Sequence, residues 1–96
     1  MEKQFFLFRG IDGERSVSIR EQTTTQQRAY VQEALDVKMI HGGLIYDGAD
    51  SVLGTCLILE AASPGLVEDW LRESPFFKAG LFAQTSIERW GWTYGR

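Results

Sequence analysis

The sequence predicts an α+β domain with the element order β-α-β-β-α-β, and three observations carry that prediction. Phe5-Phe6-Leu7-Phe8 is an unbroken apolar run of strong β preference near the N-terminus. Two further apolar stretches, Met39–Tyr46 and Val52–Glu60, flank the turn residues Asp47-Gly48-Ala49-Asp50, as in a hairpin. The third is Ser74-Pro75-Phe76-Phe77-Lys78-Ala79-Gly80-Leu81-Phe82, which must stop one helix and launch a last strand. Pro75 has no N–H and biases Ser74 away from helical geometry, and Gly80 allows a second bend.

Taken in order, the first strand is expected over residues 3–9, with Gly10, Asp12 and Gly13 punctuating its exit. Glu14 to Arg20 reads as an exposed connection carrying a short alternating patch at Val17 and Ile19. Thr23 with Gln26, or Thr24 with Gln27, can form a capping box for the first helix. Tyr30, Val31, Ala34 and Leu35 then make one apolar stripe that ends near Val37. The second strand, Met39–Tyr46, holds Gly42-Gly43 in its middle, which marks a bulge or the close approach of a ligand or backbone. Ser63 caps the second helix with Pro64 at its first position, and Val67, Trp70 and Leu71 supply its core face. Phe76 and Phe77 are too apolar for a loop tip and are expected to pack against the sheet. Thr85–Trp92 is the fourth strand. This order folds most simply as a ferredoxin-like four-stranded antiparallel sheet with both helices on one face. Its other face is then open, and the apolar first strand predicts a homodimer in which two sheets face one another.

Ninety-six residues form one domain, 1–96, able to build a single core without metal or disulfide. A net charge of −3 with scattered Lys and Arg argues against nucleic acid as the partner. Cys56 is the only cysteine, and mid-strand it reads as a buried, inert thiol. No run approaches the ~20 apolar residues of a membrane span, and the N-terminus lacks the build of a signal peptide. A cytoplasmic protein that contacts no membrane is expected, with no metal and no cofactor.

Ala29-Tyr30-Val31, Gly42-Gly43-Leu44, Gly54 to Ala61, the segment from Ser74 to Leu81, and Ile87-Glu88-Arg89-Trp90 occur in an order and spacing that resemble the YciI-like (YCII-related) domain family. The resemblance covers nearly the whole chain and implies a ferredoxin-like dimer of the α/β barrel type. It also implies a histidine at the start of the first helix and an aspartate directly before the proline, together a proposed acid/base pair. A dehydrochlorinase acting on a chlorinated hydroxyquinol is the family's clearest enzymatic precedent. This sequence departs at both positions. Ser74 stands at the aspartate position, and Gln27 at the histidine position, or Thr23 if the helix start is shifted. Serine and glutamine hydrogen-bond a ligand but do not titrate near neutrality.

His41 is the only histidine, so imidazole chemistry must pass through it. A backbone irregularity at the glycine pair would aim it at the pocket; otherwise it is a surface histidine. Its carboxylate candidates are Glu73, Asp47 and Glu60. Asp12 with Glu14, and Glu68 with Asp69, read as solvated charge. Trp90, Trp92 and Tyr94 line an aromatic pocket or, more commonly for such a strand, a dimer interface. The candidate ligand-binding residues are therefore Gln27, His41, Gly42, Ser74 and Phe76, with His41 the sole catalytic candidate. Three functions compete: a binder of a small phenolic or quinone-like molecule, non-catalytic or altered in activity; a cofactor-independent lyase or isomerase using His41 or the substrate's own acidity; and a structural or regulatory dimerisation module.

Overall fold

The computed structural model describes residues 3–96. It contains β1 (Gln4–Asp12), α1 (Ser16–Glu33), β2 (Val37–Tyr46), β3 (Val52–Ala61), α2 (Pro64–Glu73), the single-turn α3 (Pro75–Lys78) and β4 (Phe82–Trp90). The sheet is antiparallel throughout, with strand order β2-β3-β1-β4. That is the ferredoxin-like arrangement, with the helices on one face. The aromatic run of β1 sits centrally, paired on both edges, which is why it tolerates so few polar residues.

Phe6 and Phe8 of β1, Val37, Leu59, Ala61, and Val67 and Leu71 of α2 form the buried core. The intervening residues of β1, Phe5 and Leu7, point to the open face, as strand alternation requires. Asp47 closes the β2–β3 hairpin by accepting the N–H groups of Ala49 and Ser51. Ser63 caps α2 by accepting the Leu66 N–H, and Pro64 follows it. Among the described residues, no helix is long and apolar enough to cross a membrane.

Several element boundaries differ from those the sequence predicts. β1 runs on to Asp12, because Gly10 is held in the ladder between Thr55 and Thr85. α1 begins at Ser16, so Glu14–Arg20 is not an exposed connection and the threonines are not its cap. A turn in which the Ser16 N–H reaches the Gly13 carbonyl starts the helix directly after β1, and Thr24 instead bonds back to the Arg20 carbonyl. The helix ends at Glu33, since Ala34 is extended and Val37 is buried in β2 opposite Ala61. Leu35 therefore leaves the apolar stripe and stands 96% exposed. Finally, β4 begins at Phe82 and ends at Trp90, after Gly80 turns the chain at φ 79°. Pro75, expected only to end α2, also opens α3, and Phe77 remains on the surface while Phe76 turns inward.

Two bulges aim side chains. Between Ile11 and Asp12 the β1–β4 register skips Ala83, which brings Phe82 onto the helix side, edge-on to Phe8 at 5.4 Å. Between Met39 and His41 the β2–β3 register skips Ile40. A regular strand would place His41 on the same face as Met39; the extra residue reverses it.

Candidate functional site

α1 has no fully buried residue, and its inward side meets a cavity of about 350 Å³ rather than a packed core. The floor is the helix-facing side of the sheet, including Phe8, Met39, Gly42, Leu57 and Phe82. Gln27, Arg28, Val31 and Gln32 of α1 form the roof, and Leu71, Ser74 and Phe76 close one end. The wall is mainly apolar. At Gly42 a Cβ would approach Met39 Sδ at 3.0 Å and Leu57 at 3.1 Å, so glycine keeps this part of the floor open. A second cavity of about 300 Å³ lies between α2 and β4 and shares Phe8 and Leu71 with the first.

The structure brings together Gln27, Gly42, Ser74 and Phe76 at the larger cavity; Thr23 is not among its lining residues. Gln27 Oε1 accepts the Phe76 N–H at 3.0 Å, which ties α1 to α3. Ser74, only 1% exposed, spends its hydroxyl locally: it donates to the Leu71 carbonyl at 2.7 Å and accepts the Phe77 N–H at 3.4 Å as the cap of α3. The Tyr30 hydroxyl donates to the Trp70 carbonyl at 2.6 Å. Burial, then the nearby Glu73 carboxylate, raise its pKa above the ordinary phenol value, which keeps it a donor.

His41 is not brought to this cavity. The irregularity expected near the glycine pair exists, but it turns His41 to the open face opposite Ile58, where its ring meets Trp92 edge-on at 5.4 Å. Trp92 itself leaves the sheet after β4 and crosses back to Phe5. The three carboxylate candidates are engaged elsewhere. Glu73 pairs with Lys78 at 2.9 Å, Glu60 lies 3.8 Å from Lys3, and Asp47 closes the hairpin. The Lys78 hydrogen bond, aided by its charge, holds the Glu73 carboxyl below its ordinary value, and Glu73 raises Lys78 in turn. Cys56, expected to be buried, is only half-buried.

The site also contains side chains that the sequence reading missed. Arg20 reaches the cavity from the second turn of α1 and grips Asp12 with both arms of a fork: Nε donates to Oδ2 at 3.0 Å and Nη2 to Oδ1 at 2.8 Å. Nη2 also donates to Thr55 Oγ1 at 3.0 Å, and the guanidinium lies 5.5 Å from the Phe76 ring centroid. Asp12 is thus not solvated charge; its side chain is 5% exposed, and that of Arg20 20%. Thr55 carried the one available signal, a hydroxyl in the middle of an apolar strand. Asp12 and Arg20 stand eight apart with a strand end and turn between, so no periodicity links them. Among the described residues, no three His, Cys, Asp or Glu side chains gather as metal ligands.

The model of the YCII-related domain matches residues 5–91. The solved structure of a 5-chloro-2-hydroxyhydroquinone dehydrochlorinase from Burkholderia phenoliruptrix AC1100, in complex with 2,5-dihydroxybenzoquinone, is similar with a TM-score of 0.75 and 32% identity, over 91% of this chain and 93% of that one. No curated protein sequence matches the chain.

Proposed function

The chain belongs to the YCII-related domain family, and from that premise we propose that it binds a small phenolic or quinone-like molecule in the cavity between α1 and the sheet, as a non-catalytic or altered member. The observation that carries this reading is the wall itself: a mainly apolar surface wide enough for an aromatic ring, interrupted by a few polar side chains, with neither histidine nor carboxylate among the described residues that line it. Gln27 and Ser74, at the positions where the family resemblance implies a histidine and an aspartate, both line it, and neither is a general base near neutrality. The similar dehydrochlorinase, solved with a dihydroxybenzoquinone, supports the ligand class.

A second reading, cofactor-independent dehydrochlorination, is favoured by the 32% identity to that enzyme. In that case the proton transfers fall to the substrate's own hydroxyls, because His41 faces the other side of the sheet. One experiment separates the two. 2,5-Dihydroxybenzoquinone is expected to raise the melting temperature reproducibly, whereas 5-chloro-2-hydroxyhydroquinone incubated with the protein is expected to release no chloride above the uncatalysed rate. Catalysed chloride release would select the second reading. Absence of any thermal shift across phenolic and quinone probes would leave the purely structural role.

The chain is also proposed to pair through its open sheet face. Phe5, Leu7, Ile45 and Ile58 on that face are only half-buried within one chain, and an apolar sheet surface of this kind gains from being covered. Light scattering after size exclusion is expected to give twice the chain mass at micromolar concentration, and a strict monomer would exclude the pairing.

A further inference from the structure

We propose that Arg20 and Thr55 form an oxyanion receptor at the cavity wall, which selects the ionised over the neutral form of the ligand; this rests on the reading that the cavity holds a phenolic or quinone-like molecule. Much of the hydrogen-bonding capacity around the cavity is already spent. Arg20 uses Nε and Nη2 on Asp12 and Thr55, while Nη1 has no hydrogen-bond partner among the described residues. Thr55 accepts from Arg20, so its own proton is directed to another acceptor, and none is found among the described residues. Gln27 accepts through Oε1 from the Phe76 N–H, which leaves its amide N–H groups unspent. Ser74 gives its proton to the Leu71 carbonyl.

Arg20, Thr55 and Gln27 thus keep free donors while the Thr55 and Gln27 oxygens are already engaged as acceptors, and the Ser74 hydroxyl is spent in both senses. A phenolate or enolate oxygen accepts only and matches such a wall. A neutral hydroxyl must place its proton, and finds poor partners for it. Charge points the same way: Arg20 and Arg28 line the cavity with no carboxylate on its wall among the described residues, in a chain whose net charge is −3. Asp12 below and the Phe76 ring beside it fix the guanidinium plane, so little ordering is left to be done when an anion arrives.

The test is a titration of two probes of similar ring size at neutral pH: 2,5-dihydroxybenzoquinone, which is ionised, and hydroquinone, which is not. The wild type is expected to bind the ionised probe more tightly. Thr55→Val, nearly isosteric, is expected to weaken that probe about tenfold, and Arg20→Met about tenfold to a hundredfold, while hydroquinone changes by less than about twofold. Because Arg20→Met leaves Asp12 unpaired, the Asp12→Asn/Arg20→Met double variant provides a second background if the single variant fails to fold. Equal binding of both probes by the wild type, or an ionised-probe affinity untouched in Thr55→Val and the Arg20 variants, would overturn the receptor while leaving the cavity's ligand class intact. Binding of neither probe by the wild type would overturn both.

Discussion

Asp12→Ala is expected to lower the unfolding free energy by about 3 kcal/mol, the low end of what is lost when one member of a buried ion pair is removed. The low end applies because Arg20 keeps 20% of its side chain exposed and can recover some solvation. Two losses combine in this variant. The guanidinium loses both carboxylate oxygens at 2.8 and 3.0 Å, and the end of β1 loses its tie to the second turn of α1. Urea unfolding of the single variants and of Asp12→Ala/Arg20→Met measures the effect as a double-mutant cycle. The double variant is expected to be more stable than Asp12→Ala alone, since it buries no unpaired charge. If Asp12→Ala changes stability by less than 1 kcal/mol, the pair does not hold α1 to the sheet.

Phe8→Ala is expected to have the larger effect, a loss of about 4 kcal/mol, from the removed apolar surface and the space left behind. Phe8 is fully buried at the centre of the sheet and packs edge-on against Phe82. It also lines both cavities, of about 350 and 300 Å³, so its truncation joins them. A two-ring dihydroxynaphthoquinone should then stabilise the variant more than it stabilises the wild type, whereas 2,5-dihydroxybenzoquinone should stabilise it less. A variant that unfolds at the wild-type urea midpoint would show that the ring is not a core residue.

The residues that were legible in the sequence are those whose structural consequence is local. Ser63 with Pro64 started a helix and Ser74 before Pro75 ended it, because a cap and a missing N–H act within a few residues. Asp47 closed its turn through its own side chain. The order of elements, and from it the antiparallel sheet, followed from such signals together with apolar patterning. Thr23 to Thr25 misled for the same reason: they have the composition of a cap, but the helix start was decided upstream by the Gly13–Ser16 turn. His41 shows a different limit. Its side of the sheet depends on whether Ile40 is counted in the ladder, and a one-residue slip exchanges the faces. Gln27, Gly42, Ser74 and Phe76 converged because the fold brings the first helix over the chain reversal at Pro75. The Asp12–Arg20–Thr55 cluster was unreadable because it joins a strand end, a helix and a second strand.

The helix α1 runs for eighteen residues without one fully buried side chain. Arg20 on Asp12 and Thr55, Gln27 on the Phe76 N–H, and Tyr30 on the Trp70 carbonyl are among the polar contacts that fasten it. A helix attached this way can separate from the sheet without dismantling the Phe6–Leu59–Leu71 core. A molecule seated beneath it would supply the apolar contacts that neighbouring side chains give an ordinary packed helix. The guest would then be a removable piece of the hydrophobic core, and the order of the roof and the occupancy of the cavity would be a single equilibrium.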